Sequence, residues 1–301
     1  MPLNPEVKKF LSLLPPQDLS RDVRELRRAW DSAFFATREK LEIVQDLEIP
    51  TRDSRIRARL YVPSNRENLP VLVYYHGGGF VFGSIESYDG LSSLIAKESG
   101  VAVLSVEYRL APEHKFPTAV NDSWDALLWI SENGSKLGLD TSRLAVAGDS
   151  AGGNLSAVMT LLDRDQGKRM IRYQVLIYPA VNMVDNSPSI HEFGEGYFLT
   201  RSMMSWFGSM YFSSGRDAVS PYASPALGNL HDLPPSLVIT AEYDPLRDQG
   251  ETYSHSLNEA RNVSTLVRYQ GMIHGFLSFY PWITAGRLAI HHIAGVLRSV
   301  L

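Results

Sequence analysis

Short β-branched runs, several of them nearly all apolar, recur along the chain from about residue 40, and segments of helical length lie between them. This alternation constrains the fold more than any other feature. The runs Leu47–Ile49, Arg55–Val62, Val71–Tyr75, Val101–Val106, Leu144–Ala147, Tyr173–Tyr178, Leu237–Thr240 and Thr265–Tyr269 read as eight strands. Val71-Leu72-Val73, Val101-Ala102-Val103-Leu104 and Leu144-Ala145-Val146-Ala147 carry no polar face at all. Only a strand covered on both sides tolerates that pattern, so the sheet is mostly parallel and flanked by helices. Strands separated by helices imply βαβ crossovers and an α/β fold. The first two runs, joined through Pro50-Thr51-Arg52-Asp53-Ser54, read instead as an antiparallel hairpin at one edge.

Two segments break the alternation. Residues 1–40 read as helices, with Val23–Trp30 the clearest, and residues 183–215 interrupt the pattern after the sixth run. Each is too short to stand as a domain, so the expectation is a single domain over 1–301 with a helical cap built from both.

At 301 residues with 44% hydrophobic and 21% charged residues, the chain has the composition of a globular protein with one large core. Its formal charge of -4, spread along the sequence, offers no basic field to a nucleic acid. With no cysteine, disulfides, thiolate metal sites and a cysteine nucleophile are excluded. Phe10–Leu14 is too short for a secretory h-region, and no apolar stretch is long enough to span a bilayer. The expectations are a cytoplasmic protein with no membrane insertion and no nucleic-acid partner.

Arg143 through Leu155 reads as a strand entering Gly148-Asp149-Ser150-Ala151-Gly152 and then a helix. A serine on so sharp a turn projects its hydroxyl, and the flanking positions must lack bulk. The helix that follows directs its first N–H groups toward developing negative charge. Upstream, the strand Val71–Tyr75 runs into His76-Gly77-Gly78-Gly79. Three glycines let backbone N–H groups approach a substrate oxygen closely. A dinucleotide fingerprint counted from Gly77 and Gly79 would need glycine at 82, where Phe82 stands. His76 precedes the donors and reads as a loop anchor.

A serine nucleophile needs a histidine to accept its proton and a carboxylate to orient that histidine. With this type of elbow the acid and the base follow the serine, on loops after late strands. Asp244 follows the strand Leu237–Thr240 at the expected place. Glu242 and Asp248 are its rivals, with Asp248 inside the start of the next helix. Of the eight histidines only His274 follows a late strand within a glycine-flanked loop, while His255, His291 and His292 fall in helical segments. No metal-binding spacing such as H-E-x-x-H occurs.

Together, His76-Gly77-Gly78-Gly79-Phe80, Tyr108–Glu113 with Phe116–Ala119, Gly148–Asn154, Asp244–Asp248 and His274-Gly275-Phe276 resemble the hormone-sensitive-lipase-like branch of the α/β-hydrolases, including its bacterial carboxylesterases. The resemblance runs from about residue 40 to the C-terminus and implies the α/β-hydrolase fold. It implies Ser150 as nucleophile, Asp244 as acid and His274 as base, with an oxyanion hole in which Gly77 shapes the loop and Gly78, Gly79 and Ala151 donate their N–H groups. It implies Tyr108–Glu113 as a supporting loop beneath the elbow. It further implies hydrolysis of small carboxylic esters of short-to-medium acyl chains without a cofactor, and a possible homodimer. Amide, formamide or carbamate cleavage would use the same constellation, and a ligand-binding relative would lack the histidine. Two positions depart from the pattern: Tyr88-Asp89 replaces a frequent His-Asp, and Gln249 a frequent Glu. The cap is dense in apolar bulk, and Trp30, Phe34, Phe35, Met203, Met204 and Phe207 are the candidates for a substrate pocket.

Overall fold

The computed structural model describes residues 2–14, 18–33 and 36–301. In chain order it contains α1 (Pro5–Leu13), α2 (Val23–Ala33), β1 (Ile43–Pro50), β2 (Arg55–Val62), β3 (Leu69–Tyr75), α3 (Asp89–Ser99), β4 (Ala102–Val106), α4 (Thr118–Asn133), β5 (Leu139–Asp149) and α5 (Ala151–Asp165). Then follow β6 (Ile171–Ile177), α6 (Pro188–Phe193), α7 (Arg201–Tyr211), the one-turn α8 (Gly215–Ala218), β7 (Ser236–Tyr243), α9 (Arg247–Glu259), β8 (Ser264–Ile273) and α10 (Thr284–Val300).

The strands form one eight-stranded sheet in the order β1-β2-β4-β3-β5-β6-β7-β8. β1 and β2 make the expected antiparallel edge hairpin, β2 pairs antiparallel with β4, and every other pairing is parallel. Strand alternation divides the core between the two faces. Leu72 and Tyr74 of β3 pack with Val103, Ala145 and side chains of α3 and α10, whereas Val71, Val73 and Tyr75 pack with Leu104, Val146 and side chains of α4 and α5. That two-sided cover is why β3, β4 and β5 carry apolar residues at consecutive positions.

Local signals set several element ends. Asn4 caps α1 by accepting from the Glu6 N–H, and Thr200 caps α7 by accepting from the Met203 N–H. Gly100 closes α3 in the left-handed region, at φ 70°. Among the described residues no helix is long and apolar enough to cross a membrane.

The sheet order places the chemistry. From β3 the chain crosses to β4 on one side and continues through β5 on the other, so a crevice opens at the carboxyl ends of β3 and β5. In open α/β sheets such a switch point is where ligands bind. The glycine loop leaves β3, Ser150 leaves β5, Asp244 leaves β7 and His274 leaves β8, all at the same end of the sheet.

Candidate active site

Ser150 sits at φ 55° and ψ -116°, between the end of β5 and the first residue of α5. The left-handed backbone is unfavourable for a residue with a Cβ, and the packing around the turn imposes it. A Cβ on Gly152 would lie 1.8 Å from the Tyr75 carbonyl oxygen, so only glycine lets α5 begin this close to β3. The Ser150 N–H donates to the Ile177 carbonyl at 2.9 Å, and its own carbonyl accepts from Asn154 at 3.0 Å. The turn is therefore fixed on both sides, and the hydroxyl projects into the crevice.

His274 reaches that hydroxyl. Its Nε2 lies 2.9 Å from Ser150 Oγ, and its Nδ1 lies 2.8 Å from Asp244 Oδ2. The Asp244 carboxylate is fully buried, and its other oxygen accepts from the Leu246 N–H at 2.8 Å. A buried carboxylate facing Nδ1 keeps the proton on that nitrogen and leaves Nε2 free to accept the serine proton. The structure thus brings together Ser150, Asp244 and His274. Of the rival acids, Glu242 accepts from the Gly271 N–H at 2.6 Å and so braces the strand that carries His274. Asp248, in the first turn of α9, accepts from the Ser189 N–H at 2.8 Å and from Arg247 at 2.8 Å, tying α9 to α6.

The glycine loop borders the same point. Gly78 has φ +110°, and a Cβ there would meet the Phe82 carbonyl oxygen at 2.3 Å. Among the described residues none accepts a hydrogen bond from the N–H of Gly78, Gly79 or Ala151. The Gly77 N–H, by contrast, is taken up by Asp149 Oδ1 at 2.9 Å and the Tyr88 hydroxyl at 3.2 Å. Gly77 therefore shapes the loop and has no N–H to spare.

Beneath the loop, His76 is wholly buried, stacks on Tyr108 at 4.4 Å, and lies with Nδ1 2.8 Å from the Gly77 carbonyl. The Tyr108 hydroxyl donates to the His76 carbonyl at 2.7 Å, and the Ala111 N–H to the Phe80 carbonyl at 2.9 Å. The Tyr108–Glu113 segment thus supports the glycine loop, and the His76 carbonyl it holds lies against Gly152 of the serine turn. The two structures meet at the ends of β3 and β5, which motif order alone does not resolve.

Burial lowers the His76 pKa to about 4. The unfolded chain takes up this proton near pH 6.5, and the folded protein resists it until about pH 4. Stability is thus retained above pH 6.5 and lost as the pH falls through that window, by on the order of 3 kcal/mol. Urea denaturation at pH 7 and pH 4.5 checks this: the wild type should lose more stability than a His76→Gln variant, whose residue does not titrate.

Two cavities meet at Ser150. One, of about 50 Å³, is lined by His274, Trp30, Tyr88, Met203, Phe198 and Phe279 among others. The other, of about 270 Å³, is lined by Ala151, Met183, Met204, Tyr211, Phe212 and Gln249 among others. Gly79, Ser150, Leu199 and Phe207 border both. Of the expected pocket residues, Trp30, Met203, Met204 and Phe207 line these cavities, and Phe34 and Phe35 lie outside the described residues. Phe198 and Leu199, which also line the cavities, belong to the apolar cap run Tyr197–Phe207 that the sequence offers as an acyl pocket. Phe279 lies outside the expected set, and its one signal in the sequence is that it follows His274 by five residues.

A family model described as the α/β hydrolase fold matches residues 72–278, which contain the glycine loop, the serine turn, Asp244 and His274. The chain is an α/β hydrolase of the hormone-sensitive-lipase-like branch. Within these hydrolases it is 37% identical to an arylesterase of Saccharolobus solfataricus over 92% of this chain and 93% of that protein. It is also 37% identical to the carboxylesterase NlhH of Mycobacterium tuberculosis, covering 99% of this chain and 96% of the relative. Among solved α/β-hydrolase structures, the hyperthermophilic esterase of Pyrobaculum calidifontis matches with a TM-score of 0.97 and 48% identity over 99% of each chain.

Proposed function

We propose that this α/β hydrolase is a serine carboxylesterase that cleaves short-to-medium-chain esters through an acyl-enzyme. The observation that carries the reading is the unbroken line from Asp244 through His274 to Ser150 Oγ, with contacts of 2.8 Å and 2.9 Å, beside three backbone N–H groups that donate to none of the described residues. The arylesterase and carboxylesterase relatives support it.

In acylation, Ser150 Oγ bonds to the ester carbonyl carbon as His274 Nε2 takes the hydroxyl proton. The carbonyl oxygen becomes an alkoxide, held by the N–H groups of Gly78, Gly79 and Ala151 at the start of α5. The imidazolium then protonates the departing alcohol oxygen, and the carbonyl re-forms as an acyl group on Ser150. For deacylation His274 deprotonates water in the same way, and the serine leaves with its proton restored. The burial of Asp244 strengthens its attraction for the imidazolium formed in both steps.

The leaving oxygen must meet His274, which borders only the smaller cavity. That side therefore takes the alcohol, and the larger one takes the acyl chain. The segments 1–40 and 183–215 act as a cap, with Trp30 of α2 and Met203, Met204 and Phe207 of α7 closing the crevice. Phe207 stands in the shared wall. Phe207→Ala should raise kcat/KM for a ten-carbon acyl ester relative to a four-carbon one by about tenfold, the scale at which apolar pockets discriminate chain length. Rates over a series of p-nitrophenyl esters measure both this shift and the activity itself. Absence of turnover across the series would overturn the esterase reading.

A cytoplasmic location and a homodimer complete the reading. The cysteine-free sequence suits a reducing compartment, and β8 is an edge strand of the sheet, the position at which a second copy would pair.

A further inference from the structure

The oxyanion loop is an improbable piece of backbone. Gly78, Gly79, Phe80 and Gly83 all have positive φ, at 110°, 61°, 62° and 94°. Such a conformation persists only where its surroundings over-determine it, and the aim of its N–H groups depends on whatever holds its first residue.

Gly77 is held by two groups that also hold each other. Its N–H points at Asp149 Oδ1, 2.9 Å away, and at the Tyr88 hydroxyl, 3.2 Å away. The same hydroxyl donates to Asp149 Oδ2 at 2.9 Å, and Tyr74 donates to Oδ1 at 2.9 Å. The cluster leaves no slack: a Cβ on Gly77 would come within 2.5 Å of Asp149 Oδ2. Asp149 is the residue immediately before Ser150, so the carboxylate that pins the loop belongs to the turn that presents the nucleophile. Burial pushes the Asp149 carboxyl up, while the donors Tyr88, Tyr74 and Gly77 favour its ionised form. Tyr88 itself is buried and stands just before α3, so its ring is fixed from a third element. Both Tyr88 and Asp149 line the smaller cavity beside Ser150 and His274.

We infer that Tyr88 is a positioning residue of the oxyanion hole: its hydroxyl clamps Gly77 to Asp149 and so sets the aim of the Gly78 and Gly79 N–H groups relative to Ser150. The inference rests on the esterase reading above. It concerns a position where this chain departs from the family pattern. Without the phenol, Asp149 Oδ2 loses a donor and the Gly77 N–H loses an acceptor. The loop then holds its donors less accurately on an oxygen that becomes charged only in the transition state.

The test is Tyr88→Phe, with functional sites counted by phosphonate labelling of Ser150. Displacements of about an ångström in catalytic geometry lower rates up to about a hundredfold. We expect kcat to fall about tenfold to a hundredfold with KM within about threefold. The inhibition constant of a trifluoromethyl ketone, whose Ser150 hemiketal places its oxyanion in the hole, should rise by a similar factor. An unchanged kcat per labelled site, accompanied only by a lower melting temperature, would assign Tyr88 to packing and overturn the inference. If Tyr88→Phe does not fold, Tyr88→His and Tyr88→Leu take its place. The imidazole, a donor to Asp149, should then give a kcat at least about tenfold above leucine at similar KM, and equal values overturn the inference. Wild-type protein whose Ser150 takes no label would remove the esterase reading itself, a failure distinct from that of Tyr88.

Discussion

Ser150→Ala should lower kcat for a p-nitrophenyl ester by about 10⁵- to 10⁶-fold, with the fold intact. The alanine keeps the Cβ that the turn already accommodates at φ 55°, and the backbone bonds to Ile177 and from Asn154 do not involve the hydroxyl. What disappears is the oxygen that carries the acyl group. His274 Nε2 loses the hydroxyl it faces at 2.9 Å in the wild type and has no serine proton to take. The oxyanion donors and the cavities remain, so weak residual hydrolysis by water is expected, and KM should move little. Stopped assays at high enzyme concentration, alongside thermal melting of both proteins, separate this outcome from unfolding.

Asp244→Asn should be nearly as damaging, lowering kcat by about 10⁴-fold with little change in KM. The reason is a proton on the wrong nitrogen. Asp244 uses one oxygen for the Leu246 N–H and the other for His274 Nδ1, each at 2.8 Å. An asparagine has one oxygen to share. If the amide oxygen serves Leu246, the NH₂ faces Nδ1 and forces the imidazole proton onto Nε2, where it points at Ser150 and blocks proton transfer. If the amide is turned over, two donors collide at Leu246. Active-site titration followed by steady-state kinetics checks the prediction, and a loss confined to KM would contradict it.

The parts of this architecture that were legible in the sequence are those encoded within a few neighbouring residues. β3 and β5 announce themselves because both faces are covered, and each is followed at once by the glycines that its turn requires. The apolar pattern marks β1 only at Leu47–Ile49, but the strand begins at Ile43. Its first half carries Gln45 and Asp46, which look unlike a strand until Asp46 is seen opposite Arg59 of β2, bound to it at 2.5 Å across the edge hairpin. β5 likewise starts earlier than its apolar run, because Leu139 and Asp140 pair with β3 before a register shift. β8 runs on past Gly271 to Ile273 and so delivers His274 directly, with no loop between strand and histidine.

The candidate site follows the same division. Ser150 and the glycine loop are local motifs, and Asp244 and His274 were reachable through chain order. Tyr88 and Asp149 were not, since nothing in either neighbourhood signals a hydrogen bond between residues 61 positions apart. Tyr88 stood out only as a departure from a pattern, and the structure gives that departure a physical setting. The cavity walls are illegible for the same reason. Trp30, Phe207 and Phe279 come from three distant segments and share a pocket only after the sheet has brought the ends of its strands together.

The most direct test of the central claim is covalent. Incubation with an aryl alkylphosphonate, followed by peptide mass spectrometry, should find one adduct per chain, on Ser150, with esterase activity lost in proportion to labelling and no adduct on Ser150→Ala. Ester turnover that continues while Ser150 stays unmodified, or that survives its complete modification, would contradict the account.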